Sequence, residues 1–162
     1  MATEMNSPSK WLPRVLAEFE ALVLAGGEVA GVGLRNRIAE AQSLACHFVE
    51  NQLVAIAALK NPRASYMTKL RERTGYDLTQ ERYRYEVGWV YVAPEHRGAK
   101  LSRSLMETCL TVAGTAGMFA TTRKDNVPMQ RTLQRYGFAQ VGTSYKSERG
   151  DVLLKLFVRE GA

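Results

Sequence analysis

The segment from residue 85 to residue 113 constrains the fold most, because a buried strand changes abruptly into an amphipathic helix there. Tyr85–Val92 reads YEVGWVYV, and its β-branched and aromatic residues are typical of a central strand. The strand ends at Ala93-Pro94, a basic turn containing Gly98 follows, and apolar residues then recur at helical spacing. The first N–H groups of a helix lack partners within it, so this junction predicts a site for an anion.

The rest of the chain alternates between helical and strand patterns. Helices are predicted at 12–24, 34–41, 65–73, 101–113 and 128–135, and strands at 43–49, 53–60, 85–92, 118–122, 140–145 and 152–158. Residues 43–60 and 140–158 each predict a β-hairpin. This order of elements predicts an α+β (mixed α/β) fold. Residues 1–10 are small and polar and predict a flexible N-terminus, which leaves residues 11–162 as a single domain.

The composition suits a globular protein without a membrane segment. The chain has 162 residues, of which 46% are hydrophobic, enough for one domain with a sizeable core. It contains neither an apolar run of about 18–20 residues nor a basic leader before an apolar segment, so we expect a cytoplasmic protein without a membrane partner. Cys46 and Cys109 fall within predicted elements and are expected to be buried thiols, and two histidines predict no metal site.

The net charge favours an anionic partner without identifying it. Lysine and arginine total 22 against 16 aspartates and glutamates, a formal charge of +6. A nucleic acid, an acidic peptide and a polyphosphate cofactor all remain consistent with this excess. The basic residues are dispersed and form no block of the kind found in nucleic-acid-binding tails.

Two segments together resemble the signature blocks of the GNAT N-acetyltransferase superfamily. Val90 to Met106, VYVAPEHRGAKLSRSLM, is similar to the family's Arg/Gln-x-x-Gly-x-Gly/Ala motif after a strand. The second block begins at Asn126 and ends with Gly137-Phe138, at the family's spacing. The order of predicted elements is similar over nearly the whole chain. The resemblance implies a GNAT-like acyl-CoA N-acyltransferase fold, in which helices flank a central, mostly antiparallel sheet with one splayed pair of strands.

The resemblance also implies an activity and a cofactor. It implies an acetyl-CoA-dependent N-acetyltransferase (EC 2.3.1 type), with acetyl-CoA as co-substrate, no metal, and direct attack by a primary amine. The strand end would pair with pantetheine, the turn and helix start would hold the diphosphate, and two residues of the second block would contact the pantetheine arm and the phosphates. In chain order, the implied acetyl-CoA-binding residues are Val90, Tyr91, Val92, Arg97, Gly98, Ala99, Lys100, Leu101, Ser102, Arg103, Asn126 and Arg135.

The sequence departs from the family pattern at three positions. Lys100 and Ser102 replace the glycines of the first motif, and Leu133 replaces the tyrosine that usually acts as general acid. Lys100 is expected to fit if its φ is negative, with its ammonium either on a phosphate or in solvent. Tyr136 is the candidate acid in place of Leu133, with core packing as the alternative. Tyr145 is a further candidate that no family position supports.

Glu86 is the candidate base. It lies eleven residues before Arg97, where some family members carry a catalytic glutamate. An acceptor ammonium must lose a proton before it attacks a thioester, and a nearby carboxylate can take that proton. The alternative is an exposed strand glutamate paired with Arg84. The implied oxyanion donor is a strand N–H near Val90.

The acceptor is left open by the sequence. A small-molecule amine is favoured, an aminoacyl-tRNA or a protein amine is the alternative, and a non-catalytic acyl-CoA-binding sensor is a third reading suggested by Leu133 and Lys100. Three tyrosines, Tyr66, Tyr83 and Tyr85, are expected at the acceptor mouth. The closing hairpin is a candidate contact for a homodimer. The candidate RNA-binding residues are Arg35, Arg37, Lys69, Arg71, Arg73, Arg82 and Arg84, with an ordinary solvated basic face as the alternative.

Overall fold

The computed structural model describes residues 3–27 and 29–162. The strands are β1 (Thr3–Asn6), β2 (Ser43–Val49), β3 (Gln52–Lys60), β4 (Tyr85–Val92), β5 (Met118–Arg123), β6 (Ala139–Lys146) and β7 (Leu153–Arg159). The helices are α1 (Pro13–Ala25), α2 (Leu34–Ala39), α3 (Ala64–Thr74), α4 (Leu101–Ala113) and α5 (Val127–Arg135). Short 3-10 turns occupy Pro8–Lys10 and Pro94–His96. Every helix and strand expected from the sequence is present, each with ends within two residues of the predicted ones.

Strand β1 was not expected from the sequence. It lies in the segment predicted to be flexible, and it pairs antiparallel with β2 from Thr3↔His47 to Asn6↔Leu44. The Thr3 hydroxyl also hydrogen-bonds His47 Nδ1 at 3.2 Å and Ser104 Oγ at 2.7 Å. Because these partners are distant in sequence, a local pattern of small polar residues gives no sign of them. Residues 1 and 2 of the predicted flexible terminus lie outside the described residues.

The chain divides into two compact units, which are described separately. The first comprises residues 3–27, 29–60 and 87–114, and the second comprises residues 61–86 and 115–162. Strand β4 begins in the second unit and continues in the first. The hydrogen-bonded strand order is β1-β2-β3-β4 in the first unit and β4-β5-β7-β6 in the second. All pairs given a register are antiparallel except β4–β5, which is parallel.

The first unit buries both faces of β2 and β3. Leu44 and Ile56 belong to the cluster that contains Phe19 of α1, whereas Ala45 and Ala55 belong to the cluster that contains Leu105 of α4. Successive strand residues point to opposite faces, so each helix packs on its own face. This explains why β3 reads as the continuous apolar run LVAIAAL rather than as an alternating pattern. Glu50 and Asn51, both with positive φ, form the turn of this hairpin.

The second unit packs α3 against β5, β6 and β7. Met67 and Leu70 of α3 share a cluster with Phe119, Leu156 and Val158. The parallel pairing of β4 with β5 is confined to Tyr85↔Met118 and Glu86↔Phe119, although both strands continue. This short pairing corresponds to the splayed pair of the expected fold. The mixed α+β fold with a mostly antiparallel sheet is confirmed.

Helix α5 ends in the left-handed cap expected from the sequence. Gly137 has φ +85°, its N–H donates to Gln134 O at 3.1 Å, and Phe138 N–H donates to Leu133 O at 3.0 Å. These two bonds form a Schellman motif, which favours glycine because only glycine adopts this φ without a Cβ penalty. Leu133 and Phe138 are both buried, as the motif's accompanying apolar pair commonly is.

Helix length gives no sign of a membrane span. Within residues 3–27 and 29–162, no helix is both long enough and apolar enough to cross a bilayer.

Candidate active site

The turn between β4 and α4 is anchored to the strand that precedes it. Ala93 N–H donates to Val54 O at 2.8 Å, and the Arg97 guanidinium donates from Nε to Val92 O at 3.0 Å. The same guanidinium lies over the Tyr91 ring, with Cζ 5.5 Å from the ring centroid. The turn therefore starts from a fixed position at the end of β4.

The N–H groups at the start of α4 are available to a ligand. Among the described residues, no backbone carbonyl accepts a hydrogen bond from the N–H groups of residues 98–102. Gly98 has φ +90° and Lys100 has φ +60°, so two of the three residues before the helix have positive φ. Such residues build the backbone nests that bind anions, and the helix dipole adds to the attraction. The geometry thus fits the predicted diphosphate site.

The backbone conformation of Lys100 contradicts one expectation from the sequence. The sequence argument required a negative φ, whereas the residue has φ +60° and ψ 28° in the left-handed region. A lysine there costs about 1–2 kcal/mol relative to a right-handed conformation. The conformation is the one that a glycine in the motif would adopt without this cost, and Lys100 O accepts from Arg103 N–H at 3.2 Å at the helix start. The residue is exposed, and the choice between phosphate and solvent for its ammonium stays open.

The end of β4 presents its side chains to both faces of the first unit. Val90 and Val92 are half-buried against the cluster of α4, whereas Trp89 and Tyr91 pack against the cluster of α1. Trp89 has φ +52°, which is unusual for a residue inside a strand. Its ring is held by Lys60, whose Nζ lies 4.4 Å from the centroid, and by the edge of Phe19 at 6.1 Å. The main chain therefore bends immediately before the Val90 N–H, the expected oxyanion donor.

Glu86 lies inside the second unit. Its exposed fraction is 4%, so the alternative of an exposed strand glutamate is wrong. The hydroxyl of Tyr66, at the start of α3, donates a hydrogen bond to Glu86 Oε2 at 3.0 Å. Arg84, the partner in that alternative, donates to Asn61 Oδ1 at 3.2 Å and stacks on the Tyr85 ring at 4.7 Å.

Two tyrosines are influenced by the charge of this carboxylate, and both also interact with Thr121. Burial, followed by the negative charge of Glu86, raises the pKa of Tyr66 well above its ordinary value. Burial and the same charge raise the pKa of Tyr145 to about 12. A side-chain interaction with Thr121 acts in the opposite direction on both pKa values. We call Tyr66, Glu86, Thr121 and Tyr145 the Glu86 cluster; Glu86 and Tyr145 are buried, Tyr66 and Thr121 are half-buried, and both phenols stay protonated near neutral pH.

Sequence reasoning found only part of this cluster. Glu86 was identified by resemblance, Tyr145 had no positional support, and Thr121 was not considered. Tyr66 was expected at an acceptor mouth, whereas its hydroxyl contacts Glu86. The four residues lie on α3, β4, β5 and β6, so only the fold brings them together.

Helix α5 places the residues of the second signature block. Asn126 is the N-cap, and its Oδ1 accepts from Met129 N–H at 3.2 Å. Arg135 is the last helical residue and is exposed. Tyr136 is half-buried at the C-cap, beyond the helix. Leu133, which stands where the family has its tyrosine, is fully buried and carries no proton to donate.

Tyr83 does not lie at an acceptor mouth, contrary to expectation. Its side chain is fully buried, and its hydroxyl donates to the Glu160 carboxylate. Arg82 donates from Nε to the other oxygen of Glu160 at 2.7 Å. Together these contacts tie residue 160 to the segment that precedes β4.

Several basic residues that were candidates for RNA binding pair with carboxylates of this chain. Arg35 lies 3.0 Å from Glu20, and Arg73 lies 2.7 Å from Glu148. Lys69 reaches Glu148 at 3.5 Å. These ion pairs reduce the positive charge that Arg35, Lys69 and Arg73 can offer to a phosphate backbone.

The cysteines are buried, as expected. Burial raises the pKa of both Cys46 and Cys109 to about 12, so each thiol stays protonated and is a poor nucleophile near neutral pH. Within the part of the chain that the structure describes, no group of three or more His, Cys, Asp or Glu side chains could hold a metal ion.

Comparison with known proteins gives a family match and many structural matches. The model of the acetyltransferase (GNAT) family matches residues 21–138. No curated protein sequence matches the chain. Solved structures match its fold at low identity, and three of them are described next.

An acyl-CoA N-acyltransferase from Pseudomonas aeruginosa has a TM-score of 0.71 and 17% identity, covering 98% of this chain and 99% of the other. Escherichia coli ElaA has a TM-score of 0.70 and 18% identity, covering 98% of both chains. A ribosomal-protein-alanine N-acetyltransferase from Brucella melitensis has a TM-score of 0.67 and 17% identity, covering 99% of both. At these identities the structures establish the fold, and the family match covers well over half of the sequence. The chain belongs to the acetyltransferase (GNAT) family, whose activity is acyl transfer from acyl-CoA.

Proposed function

We propose that this protein transfers the acetyl group of acetyl-CoA to a primary amine, with a small-molecule amine as the favoured acceptor. The observation that carries the proposal is the row of N–H groups at residues 98–102, which lack backbone acceptors within the described chain. They follow a strand and begin a 13-residue helix, the arrangement that binds diphosphates. The family match supports acetyl-CoA as the donor.

Acetyl-CoA would be held mainly by the main chain. The N–H groups of residues 98–102 would bind the diphosphate, and Arg97, Arg103 and Arg135 would add positive charge. The backbone of Val90–Val92 would pair with the pantetheine amides. Asn126 uses Oδ1 for its helix cap, and its side-chain NH₂ would donate to the pantetheine arm.

Glu86 would act as the general base. It would take a proton from the acceptor ammonium, directly or through a water molecule. The amine nitrogen would then attack the thioester carbonyl carbon, the nitrogen would release its second proton to water, the C–S bond would break, and the sulfur would leave as a thiolate. The Val90 N–H would donate to the developing oxyanion. Cys109 is excluded as a covalent intermediate because its thiol is buried and protonated.

The position that usually supplies an acid for the departing thiolate carries no proton donor in this chain. Leu133 removes the usual donor, and Tyr136 lies beyond the end of α5 rather than on its face. We propose that water protonates the thiolate, with Tyr136 as the weaker candidate. A thiolate is a good leaving group near neutral pH, so the reaction does not depend on a strong acid.

A macromolecular acceptor is the alternative within the same chemistry. The Brucella melitensis neighbour is described as a ribosomal-protein-alanine N-acetyltransferase, but it shares only the fold with this chain at 17% identity. The ion pairs of Arg35, Lys69 and Arg73 disfavour an RNA acceptor. A small amine requires no extended basic surface.

Two measurements on the wild-type protein test the proposal. Titration calorimetry should show binding of CoA and acetyl-CoA, and an absence of affinity for both would rule out the assignment. Release of free thiol from acetyl-CoA should then depend on at least one member of a panel of primary amines. Tight CoA binding without turnover on any amine, aminoacyl-tRNA or peptide would instead identify a sensor.

A further inference from the structure

We propose that Tyr66 is a positioning residue, which orients the Glu86 carboxylate toward the acceptor amine through the hydrogen bond it donates. The proposal rests on Glu86 acting as the base. It assigns a role to a residue that stands in neither of the two signature blocks, and it adds a contact with Glu86 to the expectation that Tyr66 lies at the acceptor mouth.

The geometry of the pair restricts the carboxylate. Tyr66 Oη lies 3.0 Å from Glu86 Oε2, and 96% of the Glu86 surface is removed from solvent, since 4% remains exposed. A buried carboxylate needs donors, because an unsatisfied charged group is costly in a protein interior. The phenol provides such a donor and fixes the direction of one carboxylate oxygen. The other oxygen is thereby fixed as well.

Tyr66 is itself held in place. It belongs to the first turn of α3, and its ring packs on Phe119 with the centroids 6.4 Å apart at a 38° angle. Phe119 lies on β5 and pairs in register with Glu86. The helix and the strand therefore bring the hydroxyl to the carboxylate without depending on a flexible loop. The raised pKa of Tyr66 keeps the hydroxyl protonated, and thus a donor, throughout the neutral range.

The Tyr66→Phe variant tests this role, with Tyr76→Phe as its matched control. Both tyrosines pack against the same apolar cluster, but the Tyr76 hydroxyl bonds Tyr83 instead of Glu86. With the best amine of the panel, Tyr66→Phe should lower kcat about tenfold, less than the roughly 10²–10⁴-fold typical of losing a general base itself, and change the KM for acetyl-CoA less than twofold. The acidic limb of its pH–rate profile should move to higher pH, because the charged carboxylate loses a donor. Tyr76→Phe should leave kcat and the profile unchanged.

A double-mutant cycle separates positioning from general damage. In a Glu86→Gln background, Tyr66→Phe should change kcat less than twofold, since no base remains to be positioned. An equal loss in both backgrounds, or an unchanged pH profile in the single variant, would overturn the proposal. If Glu86→Gln alone retained full activity, the base assignment would fail instead. Melting temperatures of all four proteins show whether each variant is folded at the assay temperature.

Discussion

The turn at residues 97–102 and the Glu86 cluster are built on opposite principles. The turn is largely exposed, its N–H groups have no backbone acceptors among the described residues, and two of its residues are left-handed. The Glu86 cluster is buried or half-buried, and its central contact is the side-chain hydrogen bond from Tyr66 to Glu86. One region leaves polar groups open to a ligand, whereas the other satisfies them within the protein.

This difference matches the two tasks that we propose. Binding a diphosphate needs unpaired donors that a ligand can reach, and main-chain donors supply them whatever the side chains are. Accepting a proton needs one carboxylate in a fixed direction, which requires side-chain partners. Substitutions in the turn should therefore change the affinity for CoA, and substitutions in the cluster should change the rate of the chemical step.

Glu86→Gln should produce the largest effect. Replacing the carboxylate by an amide removes the proposed base, so kcat should fall by about two orders of magnitude or more. The dissociation constant for CoA should change less than twofold, because Glu86 takes no part in the proposed diphosphate site. Steady-state kinetics and calorimetry on the same preparation measure the two quantities.

If Glu86→Gln instead weakened the affinity for CoA without lowering kcat, Glu86 would serve binding and not the chemical step. Glu160→Gln is the matched control, because Glu160 also accepts a hydrogen bond from a tyrosine hydroxyl but serves to hold residues 82, 83 and 160 together. Its kcat should equal that of the wild type.

Gly98→Ala should weaken CoA binding. Gly98 has φ +90°, where a Cβ is strained, so the alanine variant must shift the main chain that carries the N–H donors. We expect about a tenfold loss of CoA affinity, equivalent to about 1.4 kcal/mol. Calorimetry measures this effect.

The control for Gly98→Ala is Gly114→Ala in the same unit. Gly114 also has positive φ, +63°, and like Gly98 it has no atom within 4 Å of an added Cβ. It lies at the opposite end of α4, so its substitution should destabilise the protein comparably and leave CoA affinity unchanged. An equal loss of affinity in both variants would indicate a global effect rather than a diphosphate site.

The contrast between the two regions also explains what the sequence could predict. The turn is a local feature: Gly98, the preceding proline and the helical spacing after residue 100 are adjacent in the chain. Its position and the ends of β4 and α4 were therefore predicted closely. The hydrogen bond from Tyr66 to Glu86 joins residues 20 positions apart on different elements, and no periodic pattern in the sequence predicts it.

Two errors have related causes. Strand β1 was missed because its stability comes from pairing with β2 and from the Thr3 contacts with His47 and Ser104, none of which a short polar segment shows. The φ of Lys100 was misjudged because lysine disfavours the left-handed region, a local preference that the start of α4 overrides. In both cases tertiary contacts or helix geometry outweighed the local signal.

Lys100→Gly should stabilise the protein slightly. Removing the Cβ relieves about 1–2 kcal/mol of left-handed strain. The greater conformational freedom of glycine in the unfolded chain offsets about 0.4–1 kcal/mol of that gain. We expect a net increase of about 0.5–1 kcal/mol in the free energy of unfolding, seen as a rise of about 2 °C in Tm.

Lys100→Ala is the control for this substitution, because it removes the ammonium and retains the Cβ. If alanine weakens CoA binding as much as glycine does, the ammonium contacts a phosphate. If neither variant changes the affinity, the Lys100 side chain lies in solvent. A lower Tm for Lys100→Gly would contradict the assignment of strain.

Another small effect should come from acid acting on Glu160, the control carboxylate for Glu86. The hydrogen bond from Tyr83, followed in effect by Arg82, holds the pKa of Glu160 below its ordinary value of 4.5. A lowered pKa in the folded state stabilises the protein above pH 4.5, and this contribution is lost as the pH falls through the folded value. Because half of the side chain is exposed, the gain is small, and the wild type should melt about 1–3 °C above Glu160→Gln at pH 7. This difference should shrink below pH 4.5 and disappear once the pH has fallen through the folded pKa of Glu160. If the difference in Tm between the wild type and Glu160→Gln persisted in acid, Glu160 would act through packing rather than through its charge. Of the two carboxylates, only Glu86 would then act through its ionisation.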